Sequence, residues 1–385
     1  MTNSIGLSCN IKTGKLDANA AVKDGSYPFF TCAEYPDSID HFAFDDDVVL
    51  VAGNNANGNF HVTRFSGKFN AYQRTYILTA KDGVDIDYVF YALKLELKRL
   101  KEKSQGSQTK FLTMPILNGI QLQNLNFNEQ SAISGVLKVI DKKIDCNNRL
   151  NVELEAMSKL IYDYWFLQFE FPNSVGKPYK SSGGPMVYNA ELKREIPENW
   201  RNGSLWDIAH FFNGLAMQKY RATDDEFLPV IKIKEMNDGI SDSTEKASIS
   251  IPKEAIIDDG DVLFSWSATL DVKIWSQGKG ALNQHIFKVT SKKFPKSFYY
   301  FELLAYLSHF KMMAEKRKTT MGHITQDHLK QSRICIPPFD LLLAADEMIT
   351  PILQKRLSCE KENQMLSKLR DWLLPMLMNG QVTVE

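Results

Sequence analysis

Features spaced about 210 residues apart recur in the same order along this chain, so its fold must accommodate one unit built twice. Tyr27-Pro28 lies opposite Leu228-Pro229, and Asp47-Val48 opposite Asp261-Val262. Gln73-Arg74 matches Gln284-His285, and each pair runs into an alternating strand, Tyr76-Ile77-Leu78 in one copy and Ile286-Phe287-Lys288-Val289 in the other. Asp87 to Tyr91 matches Ser297 to Tyr300, an aromatic opening to a helix, and Met157-Ser158-Lys159-Leu160 returns as Leu366-Ser367-Lys368-Leu369. The offset drifts between about 201 and 214, as loop insertions would make it. Solenoid repeats run to tens of residues, so this is a duplication of a whole domain with its helix. The segment from about Lys177 to Trp200, GKPYKSSGGP and then ELKREIPENW, has no second version, and its Gly, Ser and Pro content predicts a connector.

Each copy opens with short alternating runs broken by Gly, Asn and Asp, over residues 1–80 and 204–290, which predict strands and turns. A helix follows in each, from about Asp87 to Lys103 and from Ser297 to Lys318, then a polar stretch, SQGSQTK or TTMGH. Long helices come next, about Asn128 to Gln168 and Asp340 to Asn379. In the second, Met348, Ile352, Lys355, Cys359, Glu362, Leu366, Leu369, Leu373 and Met376 keep 4-3 spacing. The first keeps it in two runs, Ile133, Leu137, Ile140 and Ile144, then Leu150, Leu154, Met157, Ile161 and Tyr164, with Asn147 between them. Such a narrow seam calls for a partner helix, and polar residues within it fix register. The predicted fold class is α+β: two mixed α/β domains joined by two long helices that form an antiparallel coiled coil, with an internal pseudo-twofold duplication. Forty residues of helix span roughly 60 Å, so the pair would set the domains at opposite ends of a rod.

Charge follows the duplication. With 46 basic and 46 acidic side chains the net charge is zero, which by itself disfavours a nucleic-acid partner. Counted in windows, residues 1–59 carry 3 basic and 8 acidic groups and residues 60–115 carry 10 and 5. Residues 200–269 carry 7 and 12, and residues 270–335 carry 12 and 4. An acidic half followed by a basic half therefore occurs twice, which gives each unit the local positive surface that phosphate contact needs.

Several chemistries are excluded. No G-x-x-x-x-G-K-[ST] loop is present to hold a nucleoside triphosphate. Ile336-Pro337-Pro338-Phe339 is similar to the N-P-P-[FYW] motif of adenine methyltransferases, but Ile stands where that motif needs Asn, so it reads as a strand end before the distal helix. Gly183-Gly184 precedes Pro185 and opens no helix. Apart from a loose His323 and His328, no histidine pair has metal-ligand spacing, and no nucleophilic or paired-carboxylate arrangement stands out. The five cysteines, Cys9, Cys32, Cys146, Cys335 and Cys359, are scattered and never form C-x-x-C, which predicts a reducing cytoplasm. No apolar run reaches the roughly 18 to 20 residues of a membrane span, and Met1 to Asn10 does not read as a signal peptide.

On these residues the chain resembles the specificity subunits of type I restriction–modification systems. The motifs that carry the resemblance are GKPYKSSGG…ELKREIPENW, DDGDVLFSWSATL, ALNQHIFKV and GHITQDHLK leading to ICIPP. Looser counterparts stand in the first half: TGKLDANA, YPFFTCAE, FDDDVVLVAGNNANGNFHV and FNAYQRTYILTA. The resemblance implies a target-recognition domain over residues 1–126, a central long helix over 127–170, a connector over 171–199, a second target-recognition domain over 200–338 and a distal long helix over 339–385. It implies a non-catalytic subunit that reads a bipartite, asymmetric site in double-stranded DNA. It also implies partners: methyltransferase subunits, two of them, that modify adenine N6, and restriction subunits. S-adenosylmethionine, ATP and Mg would belong to those partners and no cofactor to this chain. The rival reading from the residues alone is a coiled-coil adaptor with two protein-binding globular ends.

Base reading calls for bidentate polar side chains, Arg or Lys for guanine and Asn or Gln for adenine. The first copy offers Asn54, Asn55, Asn57 and Asn59 in a Gly-punctuated loop, then His61 and Arg64, then Tyr72, Gln73 and Arg74. The asparagines equally suit turn geometry. The second copy offers Ser265, Trp266, Ser267 and Thr269, then Lys273, Lys279, Asn283, Gln284 and His285, with Trp266 also suited to a core. The stretches after the helices suit phosphate contact: Lys101, Lys103, Gln105, Ser107 and Lys110, then Lys316, Arg317, Lys318, Thr319, Thr320 and His323. Tyr162, Trp165, Phe166, Trp372 and Leu374 are apolar candidates for partner docking, or for packing within the chain. Neutralising Lys316, Arg317 and Lys318 together is expected to flatten the dependence of DNA affinity on salt. An unchanged slope of log K against log salt would remove them from the contacts.

Overall fold

The computed structural model describes residues 3–54, 60–103, 111–223, 225–316 and 323–384. Unit 1 comprises Met1–Asp145 with Gln364–Glu385, and unit 2 comprises Cys146–Asn363, so the division falls within both long helices.

Unit 1 is built on a six-stranded sheet. Its strands are β1 (Cys9–Thr13), β2 (Tyr27–Phe30), β3 (Asp37–Ile39), β4 (Phe44–Ala52), β5 (Val62–Ala71) and β6 (Thr75–Ala80), in the order β1-β6-β4-β5-β2-β3. Pairing is antiparallel except between β2 and β5, where Phe29 faces Asn70 and Phe30 faces Ala71 in parallel. One face carries Val49, Val51 and Leu78 onto helix α1 (Ile86–Lys103), while Val48, Leu50 and Ile77 point to the other side, where Phe30 and Phe69 form a small second core. That alternation is the period-2 signature of a sheet covered on both faces. Asp85 starts α1 by accepting the Tyr88 backbone N–H at 2.9 Å, an orphan donor of the first turn.

Unit 2 repeats the plan with one break. Strands β7 (His210–Asn213), β11 (Val262–Ser265), β12 (Asp271–Ile274) and β14 (Ile286–Thr290) pair in the order β7-β14-β11-β12. Strands β8 (Phe227–Ile231), β9 (Lys246–Ser248), β10 (Ile256–Ile257) and β13 (Gly280–Leu282) form a second sheet, β9-β8-β13-β10, in which β8 and β13 are parallel. The continuous β5 of unit 1 is here two strands, β12 and β13, interrupted at Trp275–Lys279. Gly278 turns there at φ +74, accepts the Trp275 Nε1–H at 2.6 Å and donates its N–H to Asp259 at 2.7 Å. Helix α3 (Lys296–Lys316) covers the first sheet as α1 does in unit 1.

Equivalent ladders fix the alignment of the copies. Val51 faces Tyr76 and Phe264 faces Phe287, and Val49 faces Leu78 as Val262 faces Val289. Asp261 therefore stands where Val48 does, and the sequence pairing of Asp47-Val48 with Asp261-Val262 is one residue out. A one-residue slip in a strand exchanges its two faces, so it matters for every side chain nearby. The Ile336-Pro337-Pro338-Phe339 stretch does end a strand, Arg333–Ile336, before the distal helix.

The two long helices, α2 (Phe127–Tyr162) and α4 (Phe339–Met378), run antiparallel within each unit. In unit 2, Glu155 pairs with Arg356 at 3.6 Å and Asn147 donates to Glu362 at 2.8 Å; in unit 1, Arg370 pairs with Asp141 at 2.9 Å. The buried stripe of α4 runs through Ile349, Ile352, Cys359 and Leu377, with Arg356 and Arg370 largely covered between them. Met348, Lys355 and Leu369, expected in the seam, face out. On α2 the stripe is Ile133, Leu137, Ile140, Asn147 and Ser158, while Met157, and Tyr164 just beyond the helix, face out. Alternate layers of the expected seam are thus displaced by one residue. Long-stemmed arginines with carboxylate partners fill positions that an apolar count assigns to their neighbours.

Three of the expected docking residues are core. Tyr162, Trp165 and Phe166 are buried in unit 2 with Phe298, Phe301 and Trp200; Trp372 is exposed and Leu374 half-buried. The connector is ordered too, with a hairpin pairing Met186–Asn189 with Arg194–Pro197 and with Phe171 stacked between Tyr179 and Trp200.

Within this aromatic core Glu302 is buried and accepts the Tyr162 hydroxyl. Burial pushes its carboxyl up to about 7, against partial opposition from the Tyr162 hydrogen bond and the Arg194 charge. A folded pKa above the unfolded 4.5 means that the unfolded chain releases this proton first. Stability is therefore lost as pH rises from 4.5 through 7. Glu302→Gln keeps an acceptor for Tyr162 and removes that loss. Its unfolding free energy in urea is expected to match the parent near pH 4.5 and to exceed it by pH 8, by on the order of 3 kcal/mol. Tryptophan fluorescence reads this out, since Trp165, Trp200, Trp206, Trp266 and Trp275 all lie in unit 2. Equal midpoints at pH 8 would count against the assignment.

Candidate nucleic-acid interface

Several of the residues singled out by sequence, Tyr72, Gln73 and Arg74 in unit 1 and Trp266, Gln284 and His285 in unit 2, lie on a turn and strand end held by the same backbone hydrogen bonds in both units. In unit 1 the tight turn Tyr72–Thr75 closes with Thr75 N to Tyr72 O at 2.8 Å; Tyr72 N reaches Phe30 O at 2.9 Å and Gln73 N reaches Leu16 O at 2.9 Å. In unit 2 the turn Asn283–Ile286 makes the same three bonds, Ile286 N to Asn283 O at 3.1 Å, Asn283 N to Ile231 O at 3.0 Å and Gln284 N to Leu215 O at 3.0 Å. A second pair ties the turn to the end of the central strand: Gly53 N to Arg74 O at 2.8 Å, and Trp266 N to His285 O at 3.3 Å. A third brings in a distant segment, Leu112 N to Gly53 O and Ile324 N to Trp266 O, both at 2.9 Å. Gly14 and Gly214 complete the frame. A Cβ at either would lie 2.0 Å from Ala71 O or 2.2 Å from Asn283 O, so no larger residue fits.

On this frame the tips differ. In unit 2, Trp266 anchors its indole N–H on Asn213 at 2.9 Å and packs its ring against His285, Phe287 and His323 at centroid distances of 5.6, 5.8 and 5.3 Å. It is half-buried, with part of its ring in the core and part exposed. Ser267 meets His285 Nδ1 at 3.2 Å and Gln284 approaches His285 Nε2 at 3.5 Å. Thr269, Lys279 and His323 are exposed. In unit 1, Tyr72 is half-buried and Gln73 and Arg74 are exposed; the Gln73 amide donates to Asp17 at 2.8 Å, and the Arg74 guanidinium lies 5.7 Å from the Phe111 ring centre. Asn54 bridges Phe111 in the backbone, and His61 is half-buried with its carbonyl accepting Ala52 N–H.

Other expected readers are committed elsewhere. Arg64 donates to both oxygens of Asp47 at 2.6 and 2.7 Å, to Asp87 at 2.7 Å and to the carbonyls of Val48 and Phe65. The Asp47 carboxyl is held below its ordinary range by the Arg64 hydrogen bond. Burial raises Asp87, but hydrogen bonds from Lys138 and Arg64 outweigh it and leave that carboxyl low as well. With these donors engaged, Arg64 cross-links strand and helix. Lys273 likewise holds Met236 O and Asn237 at 3.3 and 3.1 Å, and the Asn283 amide oxygen accepts His285 N–H while its side chain is buried. Ser265 is fully buried. Asn55, Asn57, Asn59, Gln105, Ser107, Lys110, Arg317, Lys318, Thr319 and Thr320 lie outside the described residues, and Lys103 and Lys316 enter only as helical backbone. Sequence reasoning missed Phe111 and Asn213. The signal available for Phe111 was its place just before Leu112, the counterpart of Ile324.

Two copies of one rigid frame with different side chains at their tips define a two-module recognition protein. Among the described residues, no cluster of three or more His, Cys, Asp or Glu could hold a metal ion, and no helix is long and apolar enough to cross a membrane. The family described as the type I restriction modification DNA specificity domain matches residues 5–156 and 197–363. Similar proteins include the type I restriction enzyme EcoDI specificity subunit of Escherichia coli, 32% identical over 52% of this chain. That match spans 46% of the E. coli subunit's own length. The MjaIX specificity subunit of Methanocaldococcus jannaschii is 26% identical over 79% of this chain and 71% of its own. The crystal structure of a type I restriction-modification S subunit from M. genitalium shares the fold, with a TM-score of 0.64 over 98% of this chain and 96% of that one, at 16% identity. The chain belongs to the family of type I restriction–modification specificity subunits.

Ser265 sets the shape of the unit 2 tip. Its hydroxyl donates to Thr269 O at 2.6 Å and accepts Asp271 N–H at 2.8 Å, bracing a loop in which Ala268 takes the left-handed φ of +54. Ser265→Ala would strand a buried N–H and is expected to cost about 1 to 3 kcal/mol in urea unfolding. It should also weaken duplex binding through a looser loop. Wild-type stability together with wild-type binding would show that the brace is unimportant.

Proposed function

We propose that this chain is the DNA-reading subunit of a type I restriction–modification complex, in which each unit reads one half of a bipartite, asymmetric site. The observation that carries the reading is the matched frame of backbone hydrogen bonds with unlike tips, Gln73, Arg74 and Phe111 against Gln284, His285, Trp266 and His323. A shared frame presents both tips to the same kind of groove, and different tip residues select different bases. Backbone atoms held at both ends of each tip let a side chain meet a base edge without first ordering a loop, which lowers the entropic cost of binding. Exposed cations such as Lys279 would contribute sequence-independent phosphate contacts.

In this reading the chain selects the site and the chemistry belongs to its partners. Methyltransferase subunits, two of them, would use S-adenosylmethionine to modify adenine N6, and restriction subunits would use ATP and Mg. The exposed Trp372 on the distal helix is a candidate contact for a partner.

A long-read map of N6-methyladenine in the host genome, with the gene intact and deleted, tests the function. Deletion is expected to remove one split, asymmetric motif and leave other methylation in place. A map unchanged by deletion, with no salt-sensitive duplex binding by the assembled complex, would overturn the reading in favour of a protein-binding adaptor.

A further inference from the structure

Unit 1 contains four arginines, Arg64, Arg74, Arg99 and Arg370. Three are neutralised by carboxylates: Arg64 by Asp47 and Asp87, Arg99 by Glu96, and Arg370 by Asp141 and Asp371. Arg74 alone of the four has no ion pair and no side-chain hydrogen bond among the described residues, although it sits on a turn held by several backbone bonds. Its carbonyl accepts Gly53 N–H, and its neighbours Tyr72, Gln73 and Thr75 are each fixed by a backbone bond. The Thr75 hydroxyl adds bonds to Phe30 O and Thr31 O. The guanidinium carbon lies over the Phe111 ring, within the roughly 6 Å reach of a cation–π contact. Stacking of that kind restrains the plane of the group and leaves its N–H edge available, a fixed fork of parallel donors.

We propose that Arg74 reads a guanine in the half-site taken by unit 1, through its paired N–H donors to guanine O6 and N7, and that unit 2 has no equivalent reader. The proposal rests on the DNA-reading function above. The position matching Arg74 in unit 2 is His285, whose ring nitrogens face Ser267 and Gln284. Its platform position, matching Phe111, is His323, which packs on Trp266 and has no cation over it among the described residues. The same place in the frame therefore demands guanine in one half-site and makes no such demand in the other.

The test uses the assembled complex carrying wild-type chain, Arg74→Ala or Arg74→Lys, with thermal melts to show that each variant folds. Methyladenine maps are compared first, and then competition among four duplexes differing only at the guanine that the map assigns. Wild type is expected to prefer guanine by about 5- to 150-fold, the range of a good bidentate contact. Arg74→Ala should accept all four bases at that one position, and the other half of the motif should stay as it was. Arg74→Lys should keep the salt slope and lose most of the preference.

A variant that retains the guanine preference, or a motif without guanine in either half, overturns the assignment. So does uniform weakening across the four duplexes with a salt slope reduced by about 1, which marks a phosphate contact. Absence of any split motif in the wild-type map sinks the DNA-reading function itself, an outcome distinct from each of these.

Discussion

The amide of Gly53 and the amide of Trp266 each tie the end of a central strand to the carbonyl of a residue in the opposite turn, and the rest of each recognition tip depends on that closure. The carbonyls of the same two residues then accept Leu112 and Ile324, which recruits a segment far along the chain to the same place. Buried backbone donors and acceptors must be paired, so these bonds are obligatory for the sheet end and not an embellishment of it. Their consequence is a separation of tasks. Arg74 and His285 join the frame through their backbone carbonyls, so substitution at either changes what the tip offers while that bond stays available.

The same separation appears in how charge is spent within unit 1. Arg64 lies at the sheet and holds Asp47 and Asp87, and Asp87 in turn holds Lys138 of the central helix. Partly buried ion pairs of this kind resist dissection, because removing one partner leaves the other charged and poorly solvated. Arg64 thus fastens strand to helix, while Arg74, only ten residues on, has no side-chain hydrogen bond or ion pair among the described residues. Counting basic residues in a window treats the two alike. Which of them can meet a ligand is decided by the carboxylates within reach.

Much of this is legible in the sequence and some of it is not. The duplication, the four helices and the grouping of Gln73-Arg74 with Gln284-His285 follow from periodicity and spacing, since strongly patterned elements declare themselves. The slip at Asp47-Val48 has a simple origin: matching acidic residues by identity overrides the alternation that places Val49 and Val262 on the same face. The helix seam misleads for a similar reason. Leu369 is apolar and exposed, while Arg370 is charged and packed against Asp141, so an apolar count picks the wrong neighbour. Tyr162, Trp165 and Phe166 look like an outward aromatic face only until the connector, with Phe171 and Trp200, is folded over them. Burial by a segment without regular periodicity leaves no trace in a helical pattern.

Within unit 2 the helix pair contains a polar layer that apolar packing alone does not explain. Asn147 is buried and donates to both Glu362 and Asn363, Asn363 donates in turn to Asn148, and the buried Asn151 side-chain oxygen Oδ1 has no partner among the described residues. Replacing such a layer with leucine would be expected to raise stability, so its presence calls for another reason. A seam of aliphatic residues alone tolerates sliding by a heptad, because one layer of leucine resembles the next. Side-chain amides that find partners in a single alignment penalise every other alignment by leaving buried donors unmet. The layer therefore trades free energy for a unique register, and the antiparallel pairing of Glu155 with Arg356 nearby is consistent with that one alignment.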